Sequence, residues 1–174
     1  ADDLWPENSL EVRFDALQVF PDASWIGGDF LEINRDGTQE VQGRFERNLS
    51  NYDFLAPAYS SGRRVIRLEK PVEIFLRQPP TNTIISLVRK EAFESVGGYD
   101  ETLLRQQDYH FFLRLAQRVD FHYVPEIVAI YRLHANNSTR SLSLTQEWRV
   151  RALEALCQMP EFANVKPLLR EQIF

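Results

Sequence analysis

Apolar residues at Leu10, Phe14, Leu17 and Val19 recur near helical spacing behind Pro6, a residue that a first helical turn tolerates, until Phe20-Pro21 ends the run. The pattern predicts a first helix there. Ser24 to Asn34 (SWIGGDFLEIN) concentrates aromatic and branched residues instead, and Arg35-Asp36-Gly37 offers a turn into Thr38 to Gln42, which predicts a β-hairpin. Phe45 to Lys70 is irregular, with Val65 to Leu68 within it able to form a short strand. Pro71 opens a brief helix through Phe75 and Leu76 that Pro79-Pro80 closes, and Thr83 to Val88 reads as a buried strand. Lys90 to Ser95 is a short helix stopped by Gly97-Gly98, and Gln106 to Arg118 carries Phe111, Phe112, Leu115 and Ala116 in a helical pattern. Strands follow at Phe121 to Val124 and at Ile127 to Tyr131. From Leu144 onward two amphipathic helices are broken at Pro160, with Trp148, Ala152, Ala155 and Leu156 along one face. Strands and helices in this order fit α/β or α+β, and periodicity alone leaves the two open.

Composition narrows the class. The 174 residues are 44% apolar and 12% aromatic, enough for one core of ordinary size. Twenty basic residues are scattered among 25 acidic ones for a net charge of -5, so there is no basic stripe and nucleic acid is not an expected partner. No apolar run approaches the roughly 20 residues that span a bilayer, and no signal-like segment stands near Ala1. The single cysteine, Cys157, allows no internal disulfide and no cysteine-based zinc cluster, and reads as a packed thiol on a helix. The Asn-x-Ser/Thr triplets at Asn48, Asn136 and Asn137 are read as chance.

Three features bear on chemistry, and each has a plainer reading. Asp2-Asp3 precedes Pro6, so the pair either caps the first helix or, at a strand end, holds a hard divalent cation, which prefers oxygen ligands and also binds substrate phosphates. Asp108 opens a helix on which Phe112 and Leu115 share its face. It is either a first-turn cap or a carboxylate held against apolar walls, suited to general-base work. His134 stands just beyond a strand, where functional residues gather, whereas His110 and His122 read as core or surface residues. Arg132, two residues before His134, offers a guanidinium fork to a phosphate oxygen.

Taken in order, these motifs resemble glycosyltransferase family 2, the inverting nucleotide-sugar enzymes with a GT-A fold, over nearly the whole chain to about Arg140. The resemblance rests on Ala1-Asp2-Asp3-Leu4-Trp5-Pro6 as the end of an Asp-x-Asp-Asp motif, on FESVGGYDE from Phe93 to Glu101, and on Gln107-Asp108-Tyr109 with Arg114-Leu115-Ala116. Val124-Pro125-Glu126 leading to Tyr131-Arg132-x-His134 completes it. It implies a partial GT-A fold of α/β class, with the acceptor-side half of the domain in residues 1–140, on a mixed sheet, and a C-terminal helical extension in 141–174. Asp2 would bind Mn²⁺ or Mg²⁺ bridging the donor diphosphate, His134 would be a further metal ligand or diphosphate contact, and Asp3 and Arg132 would support the donor diphosphate. Asp108 would be the catalytic base, with Gly97, Gly98, Tyr99, Asp100 and Gln107 near the acceptor.

The partners so implied are a nucleotide-diphosphate sugar and a glycan or lipid-linked acceptor. The implied setting is polysaccharide synthesis for the cell envelope, in the cytoplasm or at the inner face of the membrane. Two departures stand out. Gln107 replaces a glutamate common in the family before the base, which points to a different acceptor. No Gln-x-x-Arg-Trp motif follows Asp108, which points to hexosyltransferase-type transfer of single sugars rather than polymerisation. Because the strands that bind the nucleotide precede Asp-x-Asp in this fold, the chain by itself is expected to be inactive and to self-associate through exposed strand edges. The competing expectation is a noncatalytic glycan- or protein-binding module that keeps the acceptor-side frame.

Overall fold

The computed structural model describes residues 3–34, 36, 40–41, 52–55, 65–134, 137 and 141–173. Asp2 lies outside them, as do Arg35, Gly37 and most of the region read as irregular. The elements are α1 (Ser9–Val19), β1 (Trp25–Asn34), β2 (Glu40–Val41), β3 (Ile66–Leu68), α2 (Val72–Arg77), β4 (Leu87–Val88) and α3 (Lys90–Ser95), followed by α4 (Gln107–Ala116), β5 (Phe121–Leu133), α5 (Leu142–Cys157) and α6 (Lys166–Glu171). Short 3-10 turns occupy Asp53–Leu55 and Pro160–Phe162.

Five strands form one mixed sheet in the order β2-β1-β5-β3, with β4 also paired to β1. The fold is α/β and consistent with part of a GT-A nucleotide-sugar transferase. β1 and β5 run parallel through its centre, whereas β2 and β4 are antiparallel to β1 and β3 is antiparallel to β5. The antiparallel pairing of Glu32 with Val41 and of Ile33 with Glu40 agrees with the expected hairpin. Two expected strands prove to be one, because β5 passes Pro125 and Glu126 through a register shift rather than ending there. Proline is tolerated at such a bulge because the ladder has no use for its missing N–H. The expected strand from Thr83 is shorter than its apolar content suggests: residues 83–85 form a turn, and only Leu87 and Val88 pair with β1.

Trp25 is the centre of the core. Its ring stacks on Phe112 at 5.3 Å and meets Phe75 and Phe121 at 4.7 Å each, and its indole donates to Ser86 Oγ at 3.2 Å. Contacts of this kind add roughly 0.5–1.5 kcal/mol per pair beyond the area buried. Ala152, Leu153 and Leu156 of α5, Phe162 of the 3-10 turn before α6 and Leu169 of α6 belong to the same buried cluster, and Cys157 is free and buried at the end of α5.

The first helix turns the other way from its apolar pattern. Leu10, Phe14 and Val19 are exposed, and the face against the sheet carries Ser9, Arg13 and Ala16. Long-range hydrogen bonding supplies the reason. Val128 is passed over in the β1–β5 register, and the Ser9 hydroxyl donates to its carbonyl at 2.5 Å. Arg13 then donates to the Ser9 carbonyl at 3.0 Å and the Ser9 hydroxyl at 2.7 Å. It is fully buried, and burial lowers its pKa. Satisfying buried backbone groups has outweighed the burial of three apolar side chains.

Candidate active site

Asp3 is fixed by the end of β5. Leu4 forms an antiparallel bridge with Ile130, N–H to carbonyl at 3.0 and 2.8 Å in the two directions, and the Asp3 carboxylate accepts the Arg132 N–H at 3.0 Å. The capping alternative for this aspartate is thereby overturned: α1 starts only at Ser9, and Asp3 belongs to an edge pairing five residues earlier. Beyond Arg132 the chain is folded back by Asn137. Its side-chain oxygen accepts the His134 N–H at 2.5 Å, and its amide nitrogen donates to the Arg132 carbonyl at 3.0 Å and the Tyr131 hydroxyl at 3.1 Å. Asn137 is a residue the sequence reading passed over as part of a chance triplet. An asparagine three residues past a strand-end histidine is a turn signal, because its side chain closes such loops on their own backbone.

Asp108 stands in the first turn of α4, behind Gln106 in the left-handed region at φ 59°. A non-glycine residue pays about 1–2 kcal/mol there, a strain the surrounding fold must hold. Asp108 is the half-exposed head of a helix whose residues from Tyr109 to Ala116 are all buried. Its carboxylate does not point into apolar walls, as the shared face with Phe112 and Leu115 suggests. One oxygen accepts the Tyr109 N–H at 2.8 Å and the other accepts the Thr83 hydroxyl at 3.3 Å. The Tyr99 phenol is raised above its ordinary value by burial first and by the Asp108 charge second, with a hydrogen bond to Thr83 acting the opposite way. Tyr99, Thr83 and Asp108 therefore share one locality, and Gln107 is exposed at the same helix start.

The two halves of the site meet at the turn 82–84. Trp5, two residues past Asp3, donates its indole N–H to the Ile84 carbonyl at 2.9 Å, while the neighbouring Thr83 donates to Asp108. The Asn82 side chain accepts the Ile84 N–H at 3.1 Å and holds the turn closed.

Gly97, Gly98 and Asp100 have structural duties of their own. Gly97 and Gly98 take positive φ of 77° and 67°, and their N–H groups donate back to Glu94 and Phe93, the pair of bonds that ends a helix in a left-handed turn. Arg114 of α4 donates to the Val96 carbonyl and, at 2.5 Å, to that of Gly98. Asp100 accepts the N–H and hydroxyl of Thr102 at 2.9 and 2.6 Å, and those bonds hold its pKa below the ordinary value. A Cβ at Gly98 would stand 2.9 Å from the Phe93 ring. Gly98→Ala is therefore expected to cost about 1–2 kcal/mol, seen as a lower midpoint in urea denaturation; an unchanged midpoint would show that this turn can relax.

Comparison with known families decides the class of protein. Glycosyltransferase-like family 2 matches residues 39–163, more than two thirds of the chain. The chain belongs to glycosyltransferase-like family 2. No curated protein matches it. The matched span of this glycosyltransferase holds Asp108, Gly97 to Asp100, Gln107, Arg132 and His134, whereas Asp3 and Trp5 precede it.

Among the described residues no three His, Cys, Asp or Glu side chains converge as a metal cluster, and Asp2 is not one of them. Of the two expected metal ligands only His134 is among the described residues, and its N–H donates to Asn137, while Asp3 is bound to the Arg132 N–H. A cavity of 580 Å³ lies between α5 and α6, lined by Arg151, Glu154, Lys166 and Arg170, and another of 420 Å³ lies beneath α1 by Val65 and Val124. Neither touches Asp3 or Asp108. No helix among the described residues is long and apolar enough to cross a membrane.

Proposed function

We propose that this glycosyltransferase moves a single sugar from a nucleotide-diphosphate donor to an acceptor hydroxyl with inversion, and that residues 1–140 form its acceptor-side half with 141–174 as a helical extension. The observation that carries the reading is the bridging turn 82–84, which ties the Asp3 segment on one side to Asp108 on the other. Asp108 has the role of base: its carboxylate takes the proton of the acceptor hydroxyl as that oxygen attacks the anomeric carbon from the face opposite the diphosphate. Attack from that side inverts the centre as the bond to the leaving diphosphate breaks. The half-exposed position of the carboxylate suits this role, since an acceptor must reach it.

Asp2 and His134 are the side chains that would hold Mn²⁺ or Mg²⁺, with Asp3 and Arg132 supporting the diphosphate. Carboxylate donors suit a hard cation, and the remaining positions would be filled by phosphate and water oxygens. Such an ion, when bound, offsets the charge that grows on the leaving diphosphate. Gln107, Tyr99, Asp100 and the Gly97–Gly98 turn border the acceptor in this reading.

The whole protein is to be assayed with UDP-, dTDP- and GDP-sugars, Mn²⁺ or Mg²⁺ and glycan acceptors. Transfer with an inverted product anomer is expected with one donor, with a loss of at least about 10²-fold on chelation that added cation restores. A rate unaffected by EDTA would remove the metal from the proposal, and glycan binding without transfer from any donor would favour the noncatalytic module.

A further inference from the structure

Trp5 is an expensive residue to leave in water, and the fold holds it there. Its side chain is 51% exposed, yet it is fixed on two sides. The indole N–H is bound to the Ile84 carbonyl at 2.9 Å, and the Arg13 guanidinium lies 4.4 Å from the ring centroid. Arg13 is itself immobile: it is fully buried and bonded to Ser9, with a longer contact of 3.4 Å to the Ile85 carbonyl. A guanidinium buried beneath a ring costs desolvation, and a ring pinned this way gains nothing for a core it does not join. A rigid, half-exposed aromatic with one face backed is instead a ready surface for a flat ligand, since little ordering entropy is left to lose on binding.

Its surroundings identify the ligand class. The anchor of Trp5, Ile84, is adjacent in the chain to Thr83, the partner of Asp108, and consecutive Cα atoms are about 3.8 Å apart. Tyr99, 40% exposed, lies on the Asp108 side of the same turn. An apolar ring next to a carboxylate, a hydroxyl and a phenol matches a pyranose, which presents a face of C–H bonds and a rim of hydroxyl donors. A nucleobase would use the ring equally but would leave the carboxylate facing a ligand with fewer donors.

We propose that Trp5 is the stacking platform for a pyranose ring of the acceptor, delivering its hydroxyl toward Asp108. The proposal rests on the transferase reading above, and its test separates the two. The chain is titrated with maltotriose, cellotriose and chitotriose, and with uridine, while intrinsic fluorescence is followed; Trp25 is buried in the core and Trp148 is half-buried, so the Trp5 share is taken as the difference from Trp5→Phe, and calorimetry gives the affinities of the Trp5 variants.

At least one trisaccharide is expected to give a saturable change in the exposed-tryptophan signal. Trp5→Ala should weaken binding about tenfold or more and Trp5→Phe less, with circular dichroism of both variants unchanged. In the whole protein Trp5→Ala should raise the acceptor KM about tenfold, more than it changes the donor KM, and should lower kcat far less than Asp108→Asn does. A response to uridine alone, no Trp5-dependent response to any trisaccharide, or an unchanged acceptor KM overturns the platform. Loss of transfer in Asp108→Asn beside an unchanged acceptor KM in Trp5→Ala would sink the platform and leave the transferase reading standing. Trp5-dependent saccharide binding with no transfer from any donor in the whole protein would do the reverse.

Discussion

Asp108→Asn is expected to lower kcat for sugar transfer by about 10²–10⁴ while leaving the donor KM and the folding midpoint close to the parent. The asparagine keeps the shape of the carboxylate, and its side-chain oxygen can still accept the Tyr109 N–H or the Thr83 hydroxyl that now hold the two oxygens. What it loses is the capacity to take a proton at neutral pH. The change therefore separates basicity from architecture more cleanly than an alanine, which would also release Thr83 and the first turn of α4. Steady-state kinetics at saturating donor are the measurement. A kcat within threefold of the parent would exclude Asp108 as the base, whatever the site looks like otherwise.

Acid should unfold this protein earlier than its carboxylates require, through His110. Its imidazole is fully buried, both ring nitrogens lack a hydrogen-bond partner among the described residues, and its pKa is lowered to about 4 by burial first and by the Arg114 charge second, with Asp100 pulling the other way. The unfolded chain takes up that proton near the ordinary histidine value of 6.5, so between pH 6.5 and about 4 the unfolded state binds more protons than the folded one. Stability from this group is complete above the unfolded value and is lost as pH falls to the folded one. The loss is on the order of 3 kcal/mol by linkage.

His122, whose pKa is also lowered by burial, adds to the fall in the same window. Asp100, held low by Thr102, acts only beneath the ordinary carboxylate range. His110→Leu gives up no hydrogen bond, so its urea midpoint at pH 7 should match or exceed the parent's, and its midpoint should drop much less between pH 7 and pH 4.5. An equal drop in both proteins would place the acid sensitivity elsewhere.

Local rules accounted for much of the framework. Gly97-Gly98 after Lys90 to Ser95 stops a helix because two successive positive-φ positions suit glycine and complete the backbone bonds of the helix end. Phe111, Phe112, Leu115 and Ala116 lie on α4 as their spacing requires, and Pro160 separates α5 from α6. Where local pattern and long-range demand disagreed, the latter prevailed. The apolar stripe of α1 faces solvent while the opposite face places Ser9 against the Val128 carbonyl, 119 residues away, with Arg13 buried behind it. Asp108 turned toward Thr83 although its helical neighbours are apolar.

The sequence by itself determined the residue types of the site, their order and the resemblance those motifs carry, because a carboxylate, a glycine pair or a strand-end histidine is legible from its immediate neighbours. Only the tertiary structure decided that Asp3 abuts Arg132 across 129 positions and that Trp5 reaches Ile84 across 79. Hydrophobic periodicity says nothing about which element covers a face, and on α1 it did not decide which face is buried. Those pairings come from the closure of the parallel β1–β5 centre, which draws remote ends of the chain to one edge of the sheet.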